Sequence, residues 1–241
     1  MTRGHTAYNR LYWVRDNIIA ADFPDISAAL SEPDGLLAIG GDLSPERLLN
    51  AYRRGIFPWY SEGQPILWWS PDPRWVLAPE DLKISRSLRK TLRSRKYRVT
   101  VDADFPAIIE MCAGPRKDSR DTWITAEVMK SYTILHQQGY AHSVECWHDG
   151  TLAGGLYGVA IGRIFFGESM FSRQADASKV ALVHLAARLR DRKFRLIDCQ
   201  VYSKHLESLG ARPMSRNAFA GLLGQYCAMD AGIKPGKHPL D

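Results

Sequence analysis

The stretch GGLYGVAIGRIFFGESMFS (Gly154–Ser172) decides the fold, with DASKVALVHLAARL (Asp176–Leu189) and RLIDCQ (Arg195–Gln200) that follow it. The first part reads as two strands joined by a tight Gly162-Arg163 turn, the second as a helix and the third as a strand. Two acids interrupt the apolar pattern. Glu168 stands among Phe165, Phe166, Met170 and Phe171, and Asp198 among Leu196, Ile197 and Cys199. A carboxylate in a half-buried sheet is costly unless it is paired or used. Strand alternation puts Asp198 and Gln200 on one face and Cys199 on the other. Two readings stand side by side. Each acid is satisfied by backbone amides or by an arginine such as Arg173, or two acids and an amide converge on one cavity.

Working outward, Ala141–Trp147 reads as a strand that turns at Asp149-Gly150 into Leu152–Ala160. Before it come a helix from about residue 125 to Gln138, stopped by Gly139, a helix over Phe105–Ala113 that buries Ile108, Ile109 and Cys112, and a strand over Tyr97–Asp102. Ser85 caps a further helix. On that helix Arg86, Arg89, Lys90 and Arg93 fall within an arc of about 100°, opposite Ile84, Leu88 and Leu92. The basic face is either a solvated surface or a contact for phosphates, and no acid is interleaved to neutralise it. After the central stretch, a short helix near His205, a turn at Leu209-Gly210-Ala211 and a last helix from Ser215 to about Met229 complete the chain.

Towards the start, GIFPWYSEGQPILWWSPDPR (Gly55–Arg74) holds three tryptophans, four prolines and two glycines in twenty residues. It is expected to form neither a regular helix nor a central strand. It is a loop packed on a core, or a rigid lip that offers Trp59, Trp68 or Trp69 to a ligand. Ser44-Pro45-Glu46 starts a helix with a capping hydroxyl, with Leu48, Leu49 and Tyr52 as its apolar stripe. A strand over Gly35–Asp42, a short helix around Ser27–Ser31 and a loose polar start over 1–23 precede it. The fold class expected is α+β: a small N-terminal domain (1–75) packed on a larger domain (76–241) with a mostly antiparallel central sheet.

Composition narrows function. The chain has 241 residues, 45% of them hydrophobic and 24% charged, with a formal charge of +6. No apolar run approaches the ~20 residues of a membrane span, and the start lacks a signal-peptide core. The four cysteines, Cys112, Cys146, Cys199 and Cys227, are scattered without a CxxC pair, so neither a disulfide framework nor a zinc site is expected. Gly154-Gly155…Gly158 sits inside strand pattern, and 172–178 holds no glycine, so no pyrophosphate cradle is expected. Cys199 reads as a small buried hydrophobe. His142, His184 and His205 have no serine or cysteine partner. Lys179 reads as the solvated end of a helix or, less readily, a phosphate contact.

The motifs GLLAIGGDLSPERLLNAYRRGIFPWY (Gly35–Tyr60), ILWWSPDPR (Ile66–Arg74), ISRSL (Ile84–Leu88), AHSVECW (Ala141–Trp147), GGLYGVAIGRIFFGESMFSR (Gly154–Arg173), ASK (Ala177–Lys179), LIDCQ (Leu196–Gln200) and HLESLGA (His205–Ala211) together resemble the bacterial leucyl/phenylalanyl-tRNA–protein transferases. The resemblance implies a cytoplasmic enzyme of the N-degron pathway. It would transfer Leu or Phe, and Met less well, from aminoacyl-tRNA to an N-terminal Arg or Lys, as a monomer with no membrane, metal or cofactor. It implies a GNAT-like larger domain whose acyl donor is a tRNA. By this matching Trp59 stacks on the terminal adenine, and Leu156, Phe165, Met170, Leu182, Leu185 and Ile197 line the aminoacyl side-chain pocket. Tyr52 and Ser203 also join the substrate site, Ser203 standing where the family often has Asn. Glu168, Asp198 and Gln200 hold the reacting end, and Arg86, Arg89, Lys90 and Arg93 meet the tRNA. The pattern needs Phe165, Glu168 and Met170 on one face, where plain alternation separates Phe165 from the other two; a bulge near Gly167 would reconcile them. Two rival readings are a coenzyme-A-dependent acetyltransferase and a non-catalytic RNA-binding module.

Overall fold

A computed structural model describes residues 11–15, 23–114 and 122–229. In chain order the strands and helices are β1 (Tyr12–Val14), β2 (Leu36–Gly40), α1 (Pro45–Arg53), β3 (Phe57–Pro58), β4 (Leu67–Trp69), β5 (Arg74–Leu77), α2 (Arg86–Arg93), β6 (Arg98–Val101), α3 (Phe105–Ala113), α4 (Ala126–Gln137), β7 (Ala141–His148), β8 (Thr151–Ile161), β9 (Ile164–Ser172), α5 (Ala177–Asp191), β10 (Leu196–Gln200), α6 (Lys204–Ser208), β11 (Arg212–Met214) and α7 (Arg216–Tyr226). The loose start expected over 1–23 lies mostly outside the described residues, and Tyr12–Val14 within it is a strand.

The strands form two sheets, ordered β1-β2-β4-β3 and β11-β5-β10-β9-β8-β7-β6. In the larger sheet every neighbouring pair runs antiparallel except β9 and β10, which α5 connects and which lie parallel. This is the α+β class expected, with a mostly antiparallel sheet. Its two faces are covered by different helices. Leu156, Phe165 and Ile197 pack against Val180, Leu182 and Leu185 of α5. Tyr157, Val159 and Phe166 pack with Ile108 of α3 and Tyr132 of α4, in a core that continues into Leu48 and Tyr52 of α1.

Several local expectations need correction. Residues 26–28 form a single 3-10 turn, Ile26–Ala28, in place of a helix around Ser27–Ser31. Ser44 precedes α1 but its hydroxyl makes no capping bond; Asp42 accepts from the Ser44 backbone N–H at 2.9 Å and from Arg47. The Gly55–Arg74 segment does contain an interior strand: β4 pairs with both β2 and β3. Its three residues fall between the prolines, and Pro58 sits on the edge strand β3, where no ladder bond is lost.

The decisive irregularity is in β9. Gly158 pairs with Gly167 and Tyr157 with Ser169, so Glu168 is the extra residue of a bulge. The bulge shifts the alternation by one. Phe165 opposite Ala160 and Met170 opposite Leu156 therefore share a face, although they are five positions apart. Gly158 makes room for it: a Cβ there would lie 2.2 Å from the Phe166 carbonyl oxygen and 2.6 Å from the Phe165 ring. We expect Gly158→Ala to lower stability by about 1–3 kcal/mol or more. Gly221→Ala, at an exposed position of α7 with nothing within 4 Å, should be neutral or stabilising by up to ~1 kcal/mol. Urea unfolding of both variants is the measurement.

Candidate active site

The site forms where β9 and β10 part. Their parallel ladder runs Leu196–Ile164, Ile197–Phe165, Asp198–Phe166 and goes no further. Beyond that point both strands become irregular. On β9 it is the Glu168 bulge. On β10, Asp198 pairs with Val76 and Gln200 with Trp75, leaving Cys199 between them unpaired, and Gln200 takes a φ of +64°. A cavity of about 770 Å³ opens here. Leu77, Leu156, Phe165, Met170, Leu182, Leu185, Ile197 and Leu206 give it an apolar wall. Glu168, Asp198, Gln200, Ser203 and His205 are its polar part, and Phe57, Trp59, Thr122 and Trp123 contribute from other segments.

Glu168 is tied at both oxygens. Oε1 accepts from Gln200 Nε2 at 2.9 Å, and Oε2 accepts from the Tyr132 hydroxyl at 3.0 Å. Tyr132 in turn shares a short hydroxyl–hydroxyl bond with Tyr52 of α1, whose ring packs on Phe166. Burial pushes the Glu168 carboxyl up from 4.5 to about 7, against the nearby Tyr52 and Tyr132 hydroxyls and the Gln200 amide, which favour the anion; the Asp198 charge adds to the rise. Burial and the Glu168 charge also raise both tyrosines well above 10, so they act as phenol donors.

Asp198 is 0% exposed and paired with Arg74. Arg74 Nε donates to Oδ1 at 2.8 Å and Nη2 to Oδ2 at 2.7 Å. The same Oδ1 accepts the Gln200 backbone N–H at 2.9 Å. The arginine that satisfies Asp198 is thus Arg74; Arg173 is exposed and elsewhere. Alternation alone would set Gln200 beside Asp198 and turn Cys199 away, but the irregularity brings all three to the cavity. Burial, then the Asp198 charge, pushes the Cys199 thiol far up, which leaves it protonated.

The other expected residues are distributed as follows. Trp59 is 44% exposed beside the cavity, and its backbone carbonyl accepts from Trp69 Nε1 at 2.7 Å. Trp68 is buried, its Nε1 bonded to Gly40 O at 2.8 Å, and offers no face. Tyr52 does not line the cavity; it is one hydrogen bond behind, through Tyr132. Arg86, Arg89, Lys90 and Arg93 stand exposed on α2, which the Ser85 hydroxyl caps at Leu88 N and which buries Leu88. Together with Ser87 they line a surface recess. Lys179 is held by Asp176 at 2.9 Å and is not a plain solvated end. His142 is buried between Asp102 and Gly139 O, whereas His205 reaches the cavity. Among the described residues no cluster suited to a metal ion occurs, and no helix is long and apolar enough to cross a membrane. Sequence reasoning missed Arg74 and Tyr132. The first could have been sought as the cation that a buried Asp198 demands; the second carried no signal beyond an apolar helix face.

An apolar cavity ending in a compact polar centre has the parts of a transferase: room for the moving group and donors for its reacting end. Residues 76–224 match the family model described as leucyl/phenylalanyl-tRNA protein transferase, and residues 41–72 match the model of that family's N-terminal domain. Relatives carrying the same family name include one from Nitrosomonas europaea, 59% identical over 86% of this chain and 88% of its own length, and one from Azoarcus sp., 61% identical over 83% and 86%. The chain belongs to the leucyl/phenylalanyl-tRNA–protein transferase family. Among solved structures it is similar to a GCN5-related N-acetyltransferase from Kribbella flavida, at 12% identity and a TM-score of 0.37 over 68% of this chain and 58% of that one.

The raised Glu168 carboxyl has a measurable sign. Below pH 4.5 it is protonated folded or unfolded. Between pH 4.5 and about 7 the unfolded chain ionises first, so stability is lost as pH rises through that window. Glu168→Gln removes this loss, and its stability relative to the parent should climb between those pH values in parallel urea titrations. Tyr132→Phe deletes a donor to the carboxylate and should move the Glu168 midpoint further up, read by carboxyl carbon NMR.

Proposed function

We propose that this transferase moves Leu or Phe, and Met less well, from aminoacyl-tRNA to the N-terminal Arg or Lys of acceptor proteins. In this reading it works in the cytoplasm as a monomer, and its products enter the N-degron pathway. The observation that carries the proposal is the continuity of one cavity. Its apolar wall suits a Leu or Phe side chain, and the wall meets the Glu168–Gln200 hydrogen bond directly. A division into domains 1–75 and 76–241 accompanies this reading. The smaller sheet ends at Trp69 and the larger begins at Arg74, so the boundary proposed between 75 and 76 falls inside β5.

The reaction is aminolysis of an ester. The acceptor α-amine attacks the ester carbonyl, a C–N bond forms, the C–O bond to the ribose breaks, and the amine proton ends on the ribose hydroxyl. An α-amine has a pKa near 7.7–8.0, so a sizeable fraction is already neutral at cellular pH. No covalent enzyme intermediate is needed, and orientation supplies most of the acceleration. Gln200 commits its Nε2 to Glu168, which leaves its carbonyl oxygen to accept from the attacking amine. Asp198 holds the Gln200 backbone. Glu168 holds the donor's own α-amino group, and an acidic rim favours an acceptor with a cationic first side chain. Trp59 offers its exposed face to the terminal adenine, and the basic ridge of α2 takes the acceptor stem.

Incubation with labelled Phe-tRNA and an Arg-starting peptide should place label on the peptide N-terminus. Protection by acetyl-CoA without such transfer would favour a coenzyme-A enzyme, and RNA binding indifferent to the attached amino acid a binding module. Gln200→Ala should lower kcat by about 10²-fold or more in a folded protein. Removing the charges of Arg86, Arg89 and Lys90 together should raise KM for whole aminoacyl-tRNA and weaken its salt dependence. A minimal aminoacyl-adenosine donor should be nearly unaffected, and equal losses for both donors would refute the role of α2.

A further inference from the structure

Arg74 has more partners than an ion pair requires. Its side chain is 1% exposed. Its fork on Asp198, Nε to Oδ1 and Nη2 to Oδ2, fixes the carboxylate in orientation as well as position. Nη1 donates to the Gly55 carbonyl at 3.1 Å. The guanidinium carbon lies 4.7 Å from the Phe57 ring centre and 4.8 Å from that of Phe219. One side chain of β5 therefore touches β10, the turn that follows α1, β3 and α7.

Two of those contacts lead into the cavity. On one side, Asp198 Oδ1 passes the constraint to the Gln200 backbone N–H. Gln200 needs it, because a non-glycine residue at φ +64° persists only where its surroundings over-determine it. On the other side, Gly55 and Phe57 begin the segment that ends in Trp59. We infer that Arg74 is a positioning residue of the transfer reaction. It holds Gln200 in register through Asp198, and holds the Trp59 segment against the same centre through Gly55 and Phe57. This rests on the reading of the cavity as the aminoacyl-transfer site. Lysine cannot substitute, because an ammonium lacks the planar fork that two carboxylate oxygens, a carbonyl and two rings occupy together.

The test is Arg74→Lys, with folding checked by circular dichroism and melting. With Phe-tRNA and an Arg-starting peptide, kcat should fall at least about tenfold while KM for the tRNA changes less than about threefold, the split of a lost transition-state geometry. The Gln200 side-chain amide resonances should shift. In Arg74→Ala, methylguanidinium should restore kcat, whereas it should do nothing for Gln200→Ala. A folded Arg74→Lys protein with parental kcat and unmoved Gln200 resonances overturns the inference, as does methylguanidinium that restores melting but not kcat. If Arg74→Lys fails to fold, Phe219→Leu carries the test through the same kcat and resonances, since it strips one ring from the guanidinium and Phe219 does not line the cavity. If the parent protein transfers nothing, the functional reading falls by itself, and the Gln200 resonances still decide whether Arg74 positions that residue.

Discussion

One inserted residue sets the terms for the rest of the molecule. Strand β9 has to pack Phe166 into the core beneath α3 and α4 and turn Phe165 and Met170 to the opposite face under α5. A regular strand cannot put residues 165 and 170 on one side. The Glu168 bulge does so, and the same step releases β9 from β10 and leaves a carboxylate at the opening. Apolar wall and polar centre are thus two results of a single change of register, and Gly158 is its steric condition on the neighbouring strand.

The electrostatics follow from that opening. Asp198 is fully buried and Glu168 half-buried at the cavity, and they are treated differently. Asp198 has a guanidinium on it and behaves as a fixed part of the frame. Among the described residues Glu168 has only neutral donors, two phenols in series and one amide, and burial carries its carboxyl to about 7. A neutral shell stabilises an anion without cancelling it. In the proposed reading Glu168 therefore keeps the capacity to bind a cationic amine, which a salt bridge would have removed.

Much of this was legible in the residues. Helix α5 and strands β7 to β10 follow from period and turn chemistry, and Asp149 and Gly150 both take the positive φ that the hairpin reading requires. The conflict of parity between Phe165, Glu168 and Met170 points to the bulge from sequence alone. Other elements were hidden for physical reasons. Strand β4 is interior but only three residues long, and its neighbouring prolines mask it. Arg74 lies 124 residues from Asp198 in a segment whose composition speaks only of turns and rings. Tyr132 looks like one more apolar residue of α4, because a phenol's use is decided by what its oxygen meets. Local pattern reports which face a side chain takes; it does not report the distant partner that waits there.

The pairing of Arg74 with Asp198, and the seat of its guanidinium on Phe219, also set when the centre can exist during synthesis. A chain that has emerged through β9 already holds Glu168, Tyr52 and Trp59, but none of Asp198, Gln200 or Phe219. Until α7 arrives, the Arg74 cation has one ring and a carbonyl, and no counter-charge before β10. Closing a loop of this length is slow compared with forming the hairpins inside it. The polar centre of the cavity is therefore among the last parts of the protein to be assembled, and a nascent chain still short of β10 lacks it.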